Sequence, residues 1–136
     1  MTNMVDLQRS FMEAAGQTTD EYFNLEQKDL YEQLCWEEAN ELYNASGRNP
    51  DKPEEFLECL LKEAADNLVV TLGLVISMGV DPDELFTLVH NNNMLKVTGE
   101  MVKDSSGKVI KSQASIDAKK QLLADIRALL KPEVIQ

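Results

Sequence analysis

Apolar residues recur along this chain three or four positions apart in five stretches, the spacing of helices that each bury one face. Val5 to Ala15 places Leu7, Phe11, Ala14 and Ala15 at that spacing and runs into Gly16, a residue suited to close a helix. A short first helix and a loop are expected there. Thr18-Thr19-Asp20-Glu21 has the capping-box spacing, Thr18 to Glu21, and opens a long second helix that should stop near Gly47. Asn49-Pro50-Asp51-Lys52-Pro53 reads as a turn, with Pro53 starting a third helix that reaches Met78. In Asp81-Pro82-Asp83-Glu84 the aspartate suits an N-cap and Pro82 the first helical position. A fourth helix should follow through Leu85, Leu88 and Val89 and end before Gly99. Ile116 to Leu130 is amphipathic and stops at Pro132. The pattern is that of an all-α bundle of about five helices in one domain, residues 1–136.

Four stretches depart from it. Two helical segments put carboxylates where apolar side chains belong. At about 100° per residue, Glu38 and Glu41 fall about 80° and 20° from Leu30, inside the stripe of Leu34, Leu42 and Ala45. On the same step, Glu63 and Asp66 fall about 340° and 280° from Phe56, alongside Cys59, Val70 and Leu74. From Leu68 onward the third helix is apolar on nearly every side, which suits either the centre of a bundle or a subunit interface. Glu100 to Ser115 is polar, carries Lys103, Lys108 and Lys111, and turns at Asp104-Ser105-Ser106-Gly107, where Val102 and Val109-Ile110 could pair as a small hairpin. It is either a basic loop that meets an anion or a solvated connection.

Composition narrows the setting. With 136 residues, 43% of them hydrophobic, the chain can bury a core without disulfides. Its 24 acidic against 13 basic residues, a formal charge of -11, argue against nucleic acid or an anionic membrane as partner. Cys35 and Cys59 form no CxxC, and Met1 to Gly16 has no basic-then-apolar leader pattern, so a cytoplasmic, reducing setting is expected. The run from Leu68 to Val80 is too short to span a bilayer.

A carboxylate aimed at a core is costly unless paired or bound to a metal. Glu38 and Glu41, and likewise Glu63 and Asp66, stand three apart and so share a helical face. If the two helices are antiparallel neighbours the pairs converge, although the match in height is approximate. An all-oxygen set selects a hard cation, Mg²⁺ or Mn²⁺. Zinc is disfavoured because His90 is the single histidine, and a di-iron bundle would want Glu-x-x-His on two helices. Mg²⁺ held by carboxylates commonly takes phosphate oxygens as well, so a nucleotide is the natural substrate class. The competing reading is an ordinary solvated face.

Glu37-Glu38-x-x-Glu41, followed after 21 residues by Glu63-x-x-Asp66, resembles the EExxE…ExxD signature of the MazG-like all-α nucleoside triphosphate pyrophosphohydrolases. Phe11 to Gln17, Gly79 to Phe86, Val89 to Lys96 and Ser106 to Lys111 are similar to segments of the branch with dUTP-cleaving and phage-type members. The resemblance implies a four-helix core carrying the metal site and Mg²⁺-dependent cleavage between the α and β phosphates. Glu38, Glu41, Glu63 and Asp66 match its metal ligands. Glu37 matches an extra glutamate that binds a further ion or orients the attacking water. Asn93 and Lys96 match an Asn-x-x-Lys pair contacting sugar and phosphates, the alternative for Asn93 being a helix C-cap. Lys96 suits a catalytic point charge, and Lys108 and Lys111 are candidate substrate contacts. His90 reads as a structural or rim residue. Trp36 and Phe11 offer rings to a base, with a place in the core as the alternative.

The sequence departs from its relatives at Asn91, where they often have arginine, and over Gln113 to Asp117, where they carry a Gly-Trp-x-Pro-type stretch; base selection stays open. The expected protein is a homodimeric or homotetrameric nucleotide pyrophosphohydrolase that controls nucleotide pools. The alternative is a non-catalytic acidic interaction protein or DNA mimic, which would need its charges outside.

Overall fold

The computed structural model describes residues 3–45, 53–95, 97, 103–110 and 113–130. Five helices follow in order: α1 (Met4–Ala14), α2 (Leu25–Ala45), α3 (Pro53–Ser77), α4 (Pro82–Leu95) and α5 (Gln113–Leu129). Asn3 caps α1 by accepting the Asp6 amide on its side-chain oxygen at 2.8 Å. Asp81 does the same for α4 through the Asp83 amide at 2.9 Å, as its Asp-Pro-Asp-Glu run implies. The turn between Ala45 and Pro53, and the second helix's expected stop at Gly47, lie outside the described residues.

α2 starts later than the Thr18 capping box suggests, at Leu25. The competitor is Asn24, whose side chain accepts the Gln27 amide at 3.1 Å. Thr18 is engaged elsewhere: the Gln27 side-chain amide accepts from the Thr18 N–H at 2.9 Å and donates to the Thr18 carbonyl at 2.8 Å. A glutamine thereby gives Thr18 the two-point pairing that a helix would otherwise supply, and residues 17–24 become an ordered loop. Gln27 Nε2 also donates to Ser77 Oγ at 2.8 Å, and the Asn24 amide donates to the Ser77 carbonyl at 2.8 Å. This loop is thus tied to the far end of α3.

α2 and α3 are antiparallel, and three matched levels define their register. Gln27 meets Ser77, Tyr31 meets Gly73, and Glu38 meets Asn67. Gly73 permits the tightest of these approaches, because a Cβ there would collide with the Tyr31 ring. The small core gathers at this end: Met12, Tyr31, Val70 and Ile76 are buried together, with Leu34, Cys35 and Leu74 against them. Gly79 ends α3 at φ 74°, left-handed backbone that glycine adopts without strain.

α4 packs chiefly on α5 and touches α3 sparingly. The architecture is therefore an α2–α3 hairpin with α1 laid on α3, and a second pair, α4–α5, beside it. Among the described residues the two acidic segments face each other on the α2–α3 hairpin. Of the expected hairpin, Val102 lies outside the described residues; among those described, an antiparallel bridge joins Lys103 to Val109 around a turn in which Asp104 Oδ1 accepts from Ser106 N, Ser106 Oγ and Lys108 N. Among the described residues no helix is long and apolar enough to cross a membrane.

Candidate metal centre

The α2–α3 register brings the acidic pairs level. From the Glu38–Asn67 contact, one further turn along α2 reaches Glu41 and one turn back along α3 reaches Glu63. Carboxylate oxygens of Glu38, Glu41 and Glu63 all lie within 4.8 Å of one another. Asn67 locks the crossing, its side-chain Nδ2 donating to the carbonyls of Glu38 at 2.9 Å and Glu63 at 2.8 Å. The heights that looked approximate along the chain are set by this amide.

One oxygen of Glu38 and one of Glu63 are buried without any hydrogen-bond partner. Such oxygens are expensive to leave bare, and a cation between them removes the cost. Burial, and then the neighbouring charge of Glu41, push the Glu38 carboxyl above the usual carboxylate range; its hydrogen bond with Glu41 and the charges of Asp66 and Glu63 push the same way. A seam that raises a carboxyl so is one in which added positive charge is favourable. The all-oxygen donor set fits a hard divalent ion.

Asp66 stands apart from the three converged carboxylates. Its Oδ2 is 2.9 Å from Lys62 Nζ, which also lies 3.5 Å from Glu63 Oε1. Hydrogen bonding to Asp66 foremost, then the charges of Asp66 and Glu63, raises the Lys62 ammonium well above the usual lysine value. Lys62 is a countercharge that the sequence reading missed, as it missed Asn67. The signal for Lys62 was its place four residues before Asp66, on the same helical face. Asn67 had no local signal, since its second partner is 29 residues away.

The remaining candidates are dispersed. Glu37 is exposed, its carboxylate accepting from Gln33 Nε2 at 3.2 Å, outside the converged trio. Asn93 lies in the last turn of α4, inside the helix rather than at its cap. Lys108 is exposed on the turn at 104–108, while Lys96 and Lys111 lie outside the described residues. His90 is exposed and stacks on Phe86 with ring centroids 6.4 Å apart, in keeping with a rim residue. Trp36 is neither core nor beside the acids: it is 66% exposed and about 160° around α2 from Glu38. Phe11 is also exposed, on α1.

A profile of the phosphoribosyl-ATP pyrophosphohydrolase family matches residues 4–93, two thirds of the chain and nearly all of α1 to α4. The chain belongs to this family. Phosphoribosyl-ATP pyrophosphohydrolases fall within the MazG-like all-α superfamily, so the chain's membership there, expected from Glu37 to Asp66, holds. The family is one of metal-dependent pyrophosphohydrolases, hydrolases acting on phosphoric anhydrides. Both acidic segments and Asn93 lie inside the matched region; Lys96, Lys108 and Lys111 lie beyond it. No curated protein is found to match the chain.

Proposed function

We propose that this protein is a Mg²⁺-dependent nucleoside triphosphate pyrophosphohydrolase, cleaving a nucleotide between its α and β phosphates to a nucleoside monophosphate and pyrophosphate. The observation that carries the reading is the convergence of Glu38, Glu41 and Glu63 with two buried oxygens unpartnered. Glu38, Glu41, Glu63 and Asp66 would hold the metal, with Mn²⁺ an acceptable substitute. When bound, the metal supplies countercharge to the polyphosphate and lowers the pKa of a coordinated water. Water adds to one phosphorus, the bond from that phosphorus to the bridging oxygen breaks, and the bridging oxygen leaves with the other product.

The chain's own residues do the rest. Glu37, steadied by Gln33, orients the attacking water and accepts its proton. Asn67 keeps the two acidic helices in register through both carbonyls. Lys62, which pairs with Asp66 beside the acidic cluster, would be a donor for phosphate oxygens. Asn93 and Lys96 contact sugar and phosphates, and Lys108 and Lys111 are further substrate contacts. A cytoplasmic role in controlling nucleotide pools fits this chemistry.

A second reading keeps the chemistry and changes the substrate to phosphoribosyl-ATP, and the matched family's own description favours it. The interaction-protein or DNA-mimic alternative requires outward charge, whereas Glu38 and Glu63 each bury an oxygen.

The test is pyrophosphate release with Mg²⁺ from a panel of NTPs, dNTPs and phosphoribosyl-ATP, for the parent, Glu38→Gln and Asp66→Asn. We expect release in the parent and a loss of more than about 100-fold in each variant, beyond what disturbing an outer-shell partner of a metal costs. Undiminished activity in both variants, or no release from any nucleotide in the parent, sinks the assignment. Release from phosphoribosyl-ATP alone selects the second reading.

A further inference from the structure

α4 carries an aromatic pair that its neighbours among the described residues leave largely uncovered. Leu85, Leu88, Val89 and Asn92 are half-buried and mark the side of the helix turned to its packing partners. Phe86 and His90 lie on the other side. Phe86 is 72% exposed, His90 is exposed as well, and their rings are tilted by only 12° with centroids 6.4 Å apart. That is the near-parallel arrangement in which aromatic rings attract one another, and here it keeps two ring planes aligned in solvent.

Helical geometry puts a polar group in line with the pair. At about 100° per residue, with Phe86 at zero, His90 falls near 40° and Asn93 near 340°, a strip about 60° wide. Asn93 is exposed and follows His90 by about 4.5 Å of helix rise. The acids of α4, Asp83 and Glu84, stand in its first turn, before the pair. From Phe86 to Leu95 the helix holds no Asp, Glu, Lys or Arg, in a chain of net charge -11. A ligand that carries phosphates meets no fixed like charge along this strip.

We infer that Phe86 and His90 form the platform on which the nucleobase of the substrate stacks, with Asn93 next along the same strip at the sugar. This rests on the proposed nucleotide chemistry and extends it to the part of the substrate that the acidic cluster does not hold. The other rings offered to a base are placed elsewhere. Trp36 is turned about 160° around α2 from Glu38, and Phe11 is on α1, so neither shares a helix face with Asn93. Stacking uses the flat face that every base has, so the platform takes purines and pyrimidines alike and leaves the choice between them to contacts at the base edge.

His90 is the chain's single histidine, so its carbon-bound ring protons give assignable NMR signals that report on the platform directly. The intact protein in Mg²⁺ is titrated with the α,β-methylene analogues of ATP, dATP and dTTP, which resist cleavage at that bond, and separately with inorganic triphosphate. A nucleotide analogue should move the His90 signals through the ring current of the stacked base, and triphosphate should leave them in place. Phe86→Ala, at an exposed position, should keep the parent's urea midpoint, weaken analogue binding about 10- to 100-fold and leave triphosphate binding unchanged. Phe86→Tyr, which keeps a flat ring, should bind the analogues as the parent does. Unmoved His90 signals with all three analogues overturn the inference. So does an equal shift with triphosphate, or a Phe86→Ala variant that binds the analogues as tightly as the parent. Pyrophosphate release from a protein whose His90 stays silent sinks the platform alone, whereas a His90 shift without release keeps the platform and sinks the chemistry.

Discussion

Asn67 places one amide nitrogen between two helices, donating to a carbonyl of each at the level of the acidic cluster. Replacing it with alanine leaves two carbonyls short of a donor at a partly buried crossing. Asn67→Ala should cost about 1–3 kcal/mol in urea unfolding, and pyrophosphate release should fall with it because the acidic pairs lose register. Full activity with lost stability would show that the crossing tolerates a shift. Tyr31 offers a test through pH. Burial pushes its phenol above the usual value, and hydrogen bonds with Gln17 and Gln8 only partly oppose that. A raised folded value for an acid means the neutral form is preferred on folding. Its contribution is fully present below the ordinary phenol value near 10 and is lost as pH rises through the higher folded value. The urea midpoint should therefore drop between about pH 9 and 11 in the parent, and less in Tyr31→Phe, which keeps the ring beside Gly73 and cannot ionise.

Among elements, the loop at 17–24 shows where reading a sequence locally goes astray. Thr18 and Glu21 have the spacing of a capping box, yet the helix opens at Leu25 because Asn24 caps it and Gln27 satisfies Thr18. Gln27→Ala removes the partner of the Thr18 N–H and carbonyl and of Ser77 Oγ together. A loss of about 1–3 kcal/mol is expected, with the Thr18 amide exchanging hydrogen much faster than amides at the centre of α3. Equal protection of the two in the variant would mean that the loop is held by other contacts. The caps at Asp81 and Gly79 behaved as their local chemistry implies, since their partners lie within a few residues.

For the whole molecule, the dominant electrostatic fact is a charge of -11 with acids facing one another across a seam. A divalent cation that binds the folded seam and not the open chain stabilises by mass action, about 2.7 kcal/mol at one hundred times its dissociation constant. Mg²⁺ should raise the thermal midpoint by several degrees, EDTA should reverse the rise, and Glu38→Gln should abolish most of it. An equal rise in Glu38→Gln would assign the effect to general screening of the acidic surface instead.

The helices, the Asp81 cap of α4 and the three-residue spacing of the acidic pairs were legible in the chain, because each depends on neighbours within a turn or two. The site was legible as a set of candidates, and the family signature ordered them. Tertiary structure decided what depends on residues far apart: that Asn67 levels Glu38 with Glu63 and that Trp36 points outward. It also decided that α4 packs chiefly on α5 and α1 on α3. Local periodicity records which side of a helix is apolar. It does not record which neighbour, in the same chain or another, covers that side, because that choice is made by packing at long separation.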